Sequence, residues 1–256
     1  MPLRHRANGR ATLLAVAALA AVLGDVGHEL AHTAVAAATP GVQLLRLSTV
    51  GLSTLGSSPW IALAGPAFNL CAALTLVAAR WRALSPAWRY FAWVFGSFNL
   101  FNALAYPVYS AVLGSGDWAT VFAGVASGMV WRVPLGLFGA MGYAATIHAV
   151  GATLAALCAD GLMDGEAALR ACRLSYLGFA GVLVLGAVFN PVGWMLVLTS
   201  GVATGFLAMA GMLRVAVPSA PLVVPARLQP GRAWCVAGVV ASVLFVAVMG
   251  PGIELG

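Results

Sequence analysis

Three residues capable of chemistry, His28, Glu29 and His32, stand in a run of chain that is otherwise mostly apolar from Ala11 to Ala38. On a helix of about 3.6 residues per turn, positions four apart lie roughly 40° apart around the axis. His28 and His32 therefore project from one face, one turn apart, which is the geometry two imidazoles need to bind a single metal ion. Glu29 sits beside them, where a carboxylate can take a proton from a water polarised by that metal. This is the H-E-x-x-H arrangement of zinc-dependent peptide-bond hydrolysis. The setting sharpens the signal, because ionisable groups inside a membrane span are costly and survive mainly where they function. The plainer alternative is a pair of histidines hydrogen-bonded within a helix bundle, with Glu29 as their partner.

The elements that must position these residues follow from composition. Of 256 residues, 62% are hydrophobic and 8% charged, which excludes an ordinary soluble domain and predicts an all-α polytopic membrane protein. The net charge of +6 comes from arginines alone, set in short loops beside apolar runs, and reads as membrane topology rather than nucleic-acid binding. Cys71, Cys158, Cys172 and Cys235 form no C-x-x-C pair and read as small apolar residues or free thiols. Arg4, Arg6 and Arg10 before an apolar run mimic a signal peptide. The run continues through His28 to Ala38, however, so it reads as an uncleaved first span.

Six or seven spans are expected. The first is Ala11 to Ala38, ended by Thr39-Pro40-Gly41, and the connector Val42 to Pro59 suits short strands or an interfacial hairpin. Further spans are Trp60 to Ala79, Tyr90 to Leu113, Val133 to Ala159, a short one from Leu177 to Phe189, Val192 to Leu213, and Ala233 to Met249. Trp118 to Met129 reads as a short re-entrant or interfacial helix, Asp160 to Arg173 as a polar connector with an amphipathic helix, and Val217 to Gly231, with four prolines, as a loop. With seven spans, all arginines except Arg46 and Arg132 fall on the side of the N-terminus, which places that side in the cytoplasm.

Two histidines do not complete a catalytic zinc site, which takes three protein ligands and leaves one position for water. The chain has seven acids and four histidines. Besides the pair itself and Glu29, Asp25, Asp117 and His148 lie near membrane depth. Asp25 leans toward the N-terminus of its helix, away from His32, and suits a supporting hydrogen bond to a histidine. His148, within a span, reads as a buried histidine bonded to a neighbouring helix. Asp117 follows a Gly-Ser-Gly stretch, where irregular backbone can line a cavity. Gly65-Pro66 reads as a kink with close helix approach, and Asn69, one turn on, offers a donor to a substrate carbonyl or its oxyanion.

Three stretches make the chain similar to the site-2 protease family of intramembrane zinc metalloproteases: Gly27-His28-Glu29-Leu30-Ala31-His32, Leu63-Ala64-Gly65-Pro66-Ala67-Phe68-Asn69, and Asn102 to Pro107 followed by Gly116-Asp117. The resemblance covers roughly Ala11 to Thr120. Three features depart from the pattern: Ala105 stands where the family usually has a proline, Trp118 follows Asp117 where the family usually has glycine, and the spacer from Pro107 to Asp117 is longer. Met163-Asp164-Gly165 carries the more typical dipeptide and makes Asp164 the alternative ligand.

The resemblance implies that His28, His32 and Asp117 hold Zn²⁺, that Glu29 is the general base, and that Asn69 helps hold an extended substrate. It implies a site-2-protease-like core over residues 1–130, with 131–256 supplying further helices of the same membrane domain. The expected activity is intramembrane proteolysis of transmembrane protein substrates in the bilayer of the cell membrane, with no nucleic-acid partner. A non-catalytic scaffold or binding protein of the same fold is the rival. The resemblance also sets the zinc nearer the cytoplasmic side, the reverse of what the arginines indicate.

Overall fold

The computed structural model describes residues 2–125, 128–217 and 231–256, with side chains from residue 9 onward. Among the described residues, six helices are long and apolar enough to cross a membrane. The chain is a multi-pass helical membrane protein with one small sheet at one end. The proline-bearing stretch expected as a loop falls almost wholly outside the described residues.

Helix α1 (Pro2–Ala37) is the axis of the fold. Its first half is rich in alanine, and Ala15, Ala17, Ala20 and Ala21 are buried. Small side chains let two glycines approach its backbone: Gly178 of α7 (Gly165–Val188) and Gly238 of α9 (Arg232–Leu244). A Cβ on Gly178 would lie 2.8 Å from the Leu14 carbonyl, and one on Gly238 would strike the carbonyl of Ala15. Where lipid removes the hydrophobic gain from helix association, such close backbone packing supplies contact instead. Leu23 and Leu30, one helical face apart from the buried residues, point outward.

After α1 the chain turns through Gly41 into the hairpin β1 (Gln43–Ser48) and β2 (Gly51–Leu55), and β3 (Ile253–Glu254) adds to β1 from the C-terminus. All neighbours are antiparallel. The hairpin tip, Ser48 and Thr49, is buried, and the Thr49 N–H donates to the Met249 carbonyl at 3.0 Å. The expected short strands are thus present, and the all-helical expectation needs this one addition.

The second span is broken. α2 (Pro59–Ala73) starts with Ser58 as N-cap and proline at its first position, a favourable start for any helix, and ends at Leu74 before the short α3 (Thr75–Ala78). α4 (Pro86–Leu113) follows and is the most enclosed helix, packed on α1, α2, α3 and α6 (Gly128–Ala159). It is not among the six apolar spans, because polar residues such as Ser97, Asn99 and Asn102 face inward along it. Asn99 donates to the Phe95 carbonyl and accepts from Asn69, and the Trp93 indole donates to the Val150 carbonyl of α6 at 3.1 Å, whereas Ser97 Oγ is buried without a partner among the described residues. A helix screened from lipid need not be apolar.

α4 ends at Gly114 in the left-handed conformation, and α5 (Asp117–Val121) follows. Of the expected Trp118 to Met129 element, only the four residues Trp118 to Val121 are helical before the undescribed pair 126–127. α7 begins twelve residues before the expected Leu177, because Asp164 caps it and the supposed amphipathic helix is its first turns. α8 (Trp194–Leu196) continues through wide and tight helical turns to Arg214. A single buried core joins residues from Val16 to Met249, so the first and second halves share one interior.

Candidate metal centre

Three segments deliver the centre. His28 and His32 lie in the last third of α1, Gly65 and Asn69 in α2, and Asp117 opens α5. The Nε2 atoms of His28 and His32 are 3.0 Å apart, and Asp117 Oδ2 lies 3.2 Å from the first and 3.3 Å from the second. Four-coordinate zinc with bonds of about 2.0–2.1 Å sets its ligand atoms roughly 3.3 Å apart. The observed triangle has nearly that size, and the three residues form the candidate metal cluster of the described chain.

The far side of each ring decides what the near side can do. His32 Nδ1 is 2.6 Å from the Ile61 carbonyl, which only accepts, so Nδ1 carries the proton. The same holds for His28 through a longer relay. Asn99 Nδ2 donates to the Phe95 carbonyl, Asn69 Nδ2 donates to Asn99 Oδ1, and His28 Nδ1 donates to Asn69 Oδ1 at 2.5 Å. A main-chain carbonyl at the end of the relay fixes the orientation of both amides. In the neutral rings both Nε2 atoms then present lone pairs, and they face each other and a carboxylate oxygen. Asp117 Oδ2 has no hydrogen-bond donor among the described residues. A proton on one Nε2 would relieve part of this triangle, whereas a divalent cation at its centre satisfies all three acceptors.

The charge balance points the same way. Asp25, Glu29 and Asp117 are three of the chain's seven acids, and among the described residues no arginine pairs with any of them. Asp25 Oδ2 and Glu29 Oε2 are also buried without a hydrogen-bond partner among the described residues. Glu29 is close enough to interact electrostatically with His28, His32 and Asp117. Gly65 completes the cradle: a Cβ there would collide with the Nε2 atoms of both histidines. The donor set, the orphaned carboxylate oxygens and this space all fit a metal.

Other expectations change. Asn69, expected to face substrate, is 1% exposed and lies behind His28, with Asn99 on its other side. Asp25, expected to support a histidine, does not, since Asn69 and the Ile61 carbonyl take both Nδ1 positions. Asp164, the alternative ligand, is the N-cap of α7 and accepts from the Ala167 N–H at 2.7 Å. His148, expected to be buried, is exposed on α6. Sequence reasoning missed Asn99 and the Ile61 carbonyl. No local signal marked the latter, since the carbonyl that Pro66 leaves without its helical donor is that of Ala62, one residue on.

The chain matches no protein-family model, no curated protein and no solved structure.

Proposed function

We propose that the chain is an intramembrane zinc endopeptidase of the site-2-protease type. The observation that carries the reading is the triangle of His28 Nε2, His32 Nε2 and Asp117 Oδ2, with both Nδ1 protons held by carbonyl oxygens. Two imidazoles and one carboxylate are a donor set that suits zinc and leaves a position for water. When bound there, zinc supplies Lewis acidity, which lowers the pKa of water and polarises a peptide carbonyl.

The chain's own residues do the rest. His28, His32 and Asp117 hold the metal, and the Asn69–Asn99 relay and Ile61 carbonyl keep the imidazoles in the ligating tautomer. Glu29, whose Oε2 is buried beside them without a hydrogen-bond partner among the described residues, takes a proton from the attacking water and passes it to the leaving amine. The side chain absent from Gly65 leaves room for the reacting groups. The substrate class follows from the surroundings: a membrane-spanning protein segment, unwound locally so that a peptide bond is accessible. The arginines support an N-terminus in the cytoplasm, with His28 and His32 toward the other side.

The test is cleavage of a transmembrane reporter by purified protein carrying Glu29→Gln. Its kcat should fall by about 10²–10⁴-fold, the usual scale for a lost general base, while zinc content stays that of wild type. Cleavage at the wild-type rate by Glu29→Gln would refute the mechanism.

A further inference from the structure

The ligand aspartate reaches the centre by an indirect route. It does not extend α4 but follows the turn Gly114-Ser115-Gly116, at the start of a five-residue helix. A turn of two glycines and a serine is a poor support for a metal ligand, because glycine allows many backbone conformations. Something must fix where the carboxylate enters.

Tyr106, two turns before the end of α4, is placed to do so. Its phenol oxygen accepts the Asp117 N–H at 3.2 Å. Its ring lies under Gly116, where a Cβ would come within 2.8 Å of the phenol oxygen and 3.1 Å of the ring. Gly116 has φ +84° and ψ −170°, a conformation open essentially to glycine alone. The same ring stands 6.2 Å from that of His28. One side chain thus touches the turn, the ligand's own amide and the neighbourhood of a second ligand.

We infer that Tyr106 is a positioning residue for the third metal ligand, its phenol oxygen pinning the Gly116–Asp117 turn so that the carboxylate meets His28 and His32. The inference rests on the metal centre of the proposed function. It accounts for how a longer spacer than the resemblance implies still delivers an aspartate to the two histidines.

The test uses the full-length chain in detergent, with Zn²⁺ affinity measured by chelator competition and the visible absorption of the Co²⁺-loaded protein as a report on ligand geometry. Tyr106→Phe keeps the ring and removes the hydrogen-bond acceptor. It should weaken Zn²⁺ binding by about 10–100-fold, as loss of outer hydrogen bonds to metal ligands does, and alter the Co²⁺ spectrum. Gly116→Ala, which places a methyl group against the phenol oxygen, should give the same spectral change. Wild-type affinity and spectrum in Tyr106→Phe would overturn the inference. A wild-type chain that binds neither metal would instead overturn the proposed function, so the two failures are distinct.

Discussion

Two aspartates in this protein each face a pair of nitrogen-bearing side chains, and they are opposites. At one end of the bundle, Asp160 accepts from Arg82 Nε at 3.0 Å and Nη2 at 2.5 Å through one oxygen, and from Arg89 Nη2 at 2.6 Å through the other. Arg89 also donates to the Ala79 carbonyl and is buried. Every group there has a partner of the opposite kind. At the other centre, Asp117 faces His28 and His32 at similar distances, but hydrogen bonds behind the rings make both nitrogens acceptors. The chemistry differs: one arrangement is a closed ion-pair cluster, and the other leaves three acceptors facing one another, the proposed metal site. Which carboxylate is the candidate ligand is told by the second hydrogen bond of each partner, not by the first.

The comparison can be broken most sharply by removing each aspartate. Asp117→Ala should lose bound metal and all detectable cleavage, while Asp160→Ala should retain both, measured by metal analysis and reporter cleavage. Next in size is Gly65→Ala, whose methyl group would strike both imidazoles. It should lower cleavage by more than about 100-fold, the scale of an ångström's misplacement in an active site. Gly181→Ala, at a glycine whose Cβ would meet nothing within 4 Å, should leave cleavage unchanged. A smaller effect, about 10–100-fold in metal affinity, is expected of Asn99→Ala. Without Asn99, Asn69 is free to turn its amide nitrogen toward His28, and the ring can exchange its tautomer.

The smallest effect belongs to the ion-pair cluster. Hydrogen bonds from Arg82, and then from Arg89, hold the Asp160 carboxyl below its ordinary value of 3.8. The stabilisation they give is complete above that ordinary value and is lost as the pH falls through the lowered one. Asp160→Asn should therefore remove a shallow acid-side fall in melting temperature and leave metal binding untouched. The effect is modest because Arg82 is 82% exposed.

What the sequence made legible was what is local. The spacing of His28, Glu29 and His32 is a property of one helix; the structure keeps all three buried, with the two histidines against α2. Asp117 was legible through its glycine-bearing lead-in together with the resemblance. Asn69 drew attention for the right helix but the wrong direction: periodicity says which residues share a face, not which neighbouring helix that face meets. Asn99 and Tyr106 gave no local sign because their roles arise only where α2, α4 and α5 come together. The span expected from Tyr90 to Leu113 is present as α4, although its inward-facing polar residues keep it out of the six most apolar helices. The early start of α7 was missed because its first turns, Gly165 to Arg173, are polar and lie ahead of its apolar face.

The central claim is that His28, His32 and Asp117 together hold a metal ion. Zinc K-edge X-ray absorption on the purified protein tests it most directly, since the spectrum reports the atoms bonded to the metal. The account predicts about one zinc per chain, with imidazole and oxygen donors at about 2.0–2.2 Å and no sulfur. A protein that retains no zinc under conditions where it is folded, or a metal shell without imidazole, would contradict it.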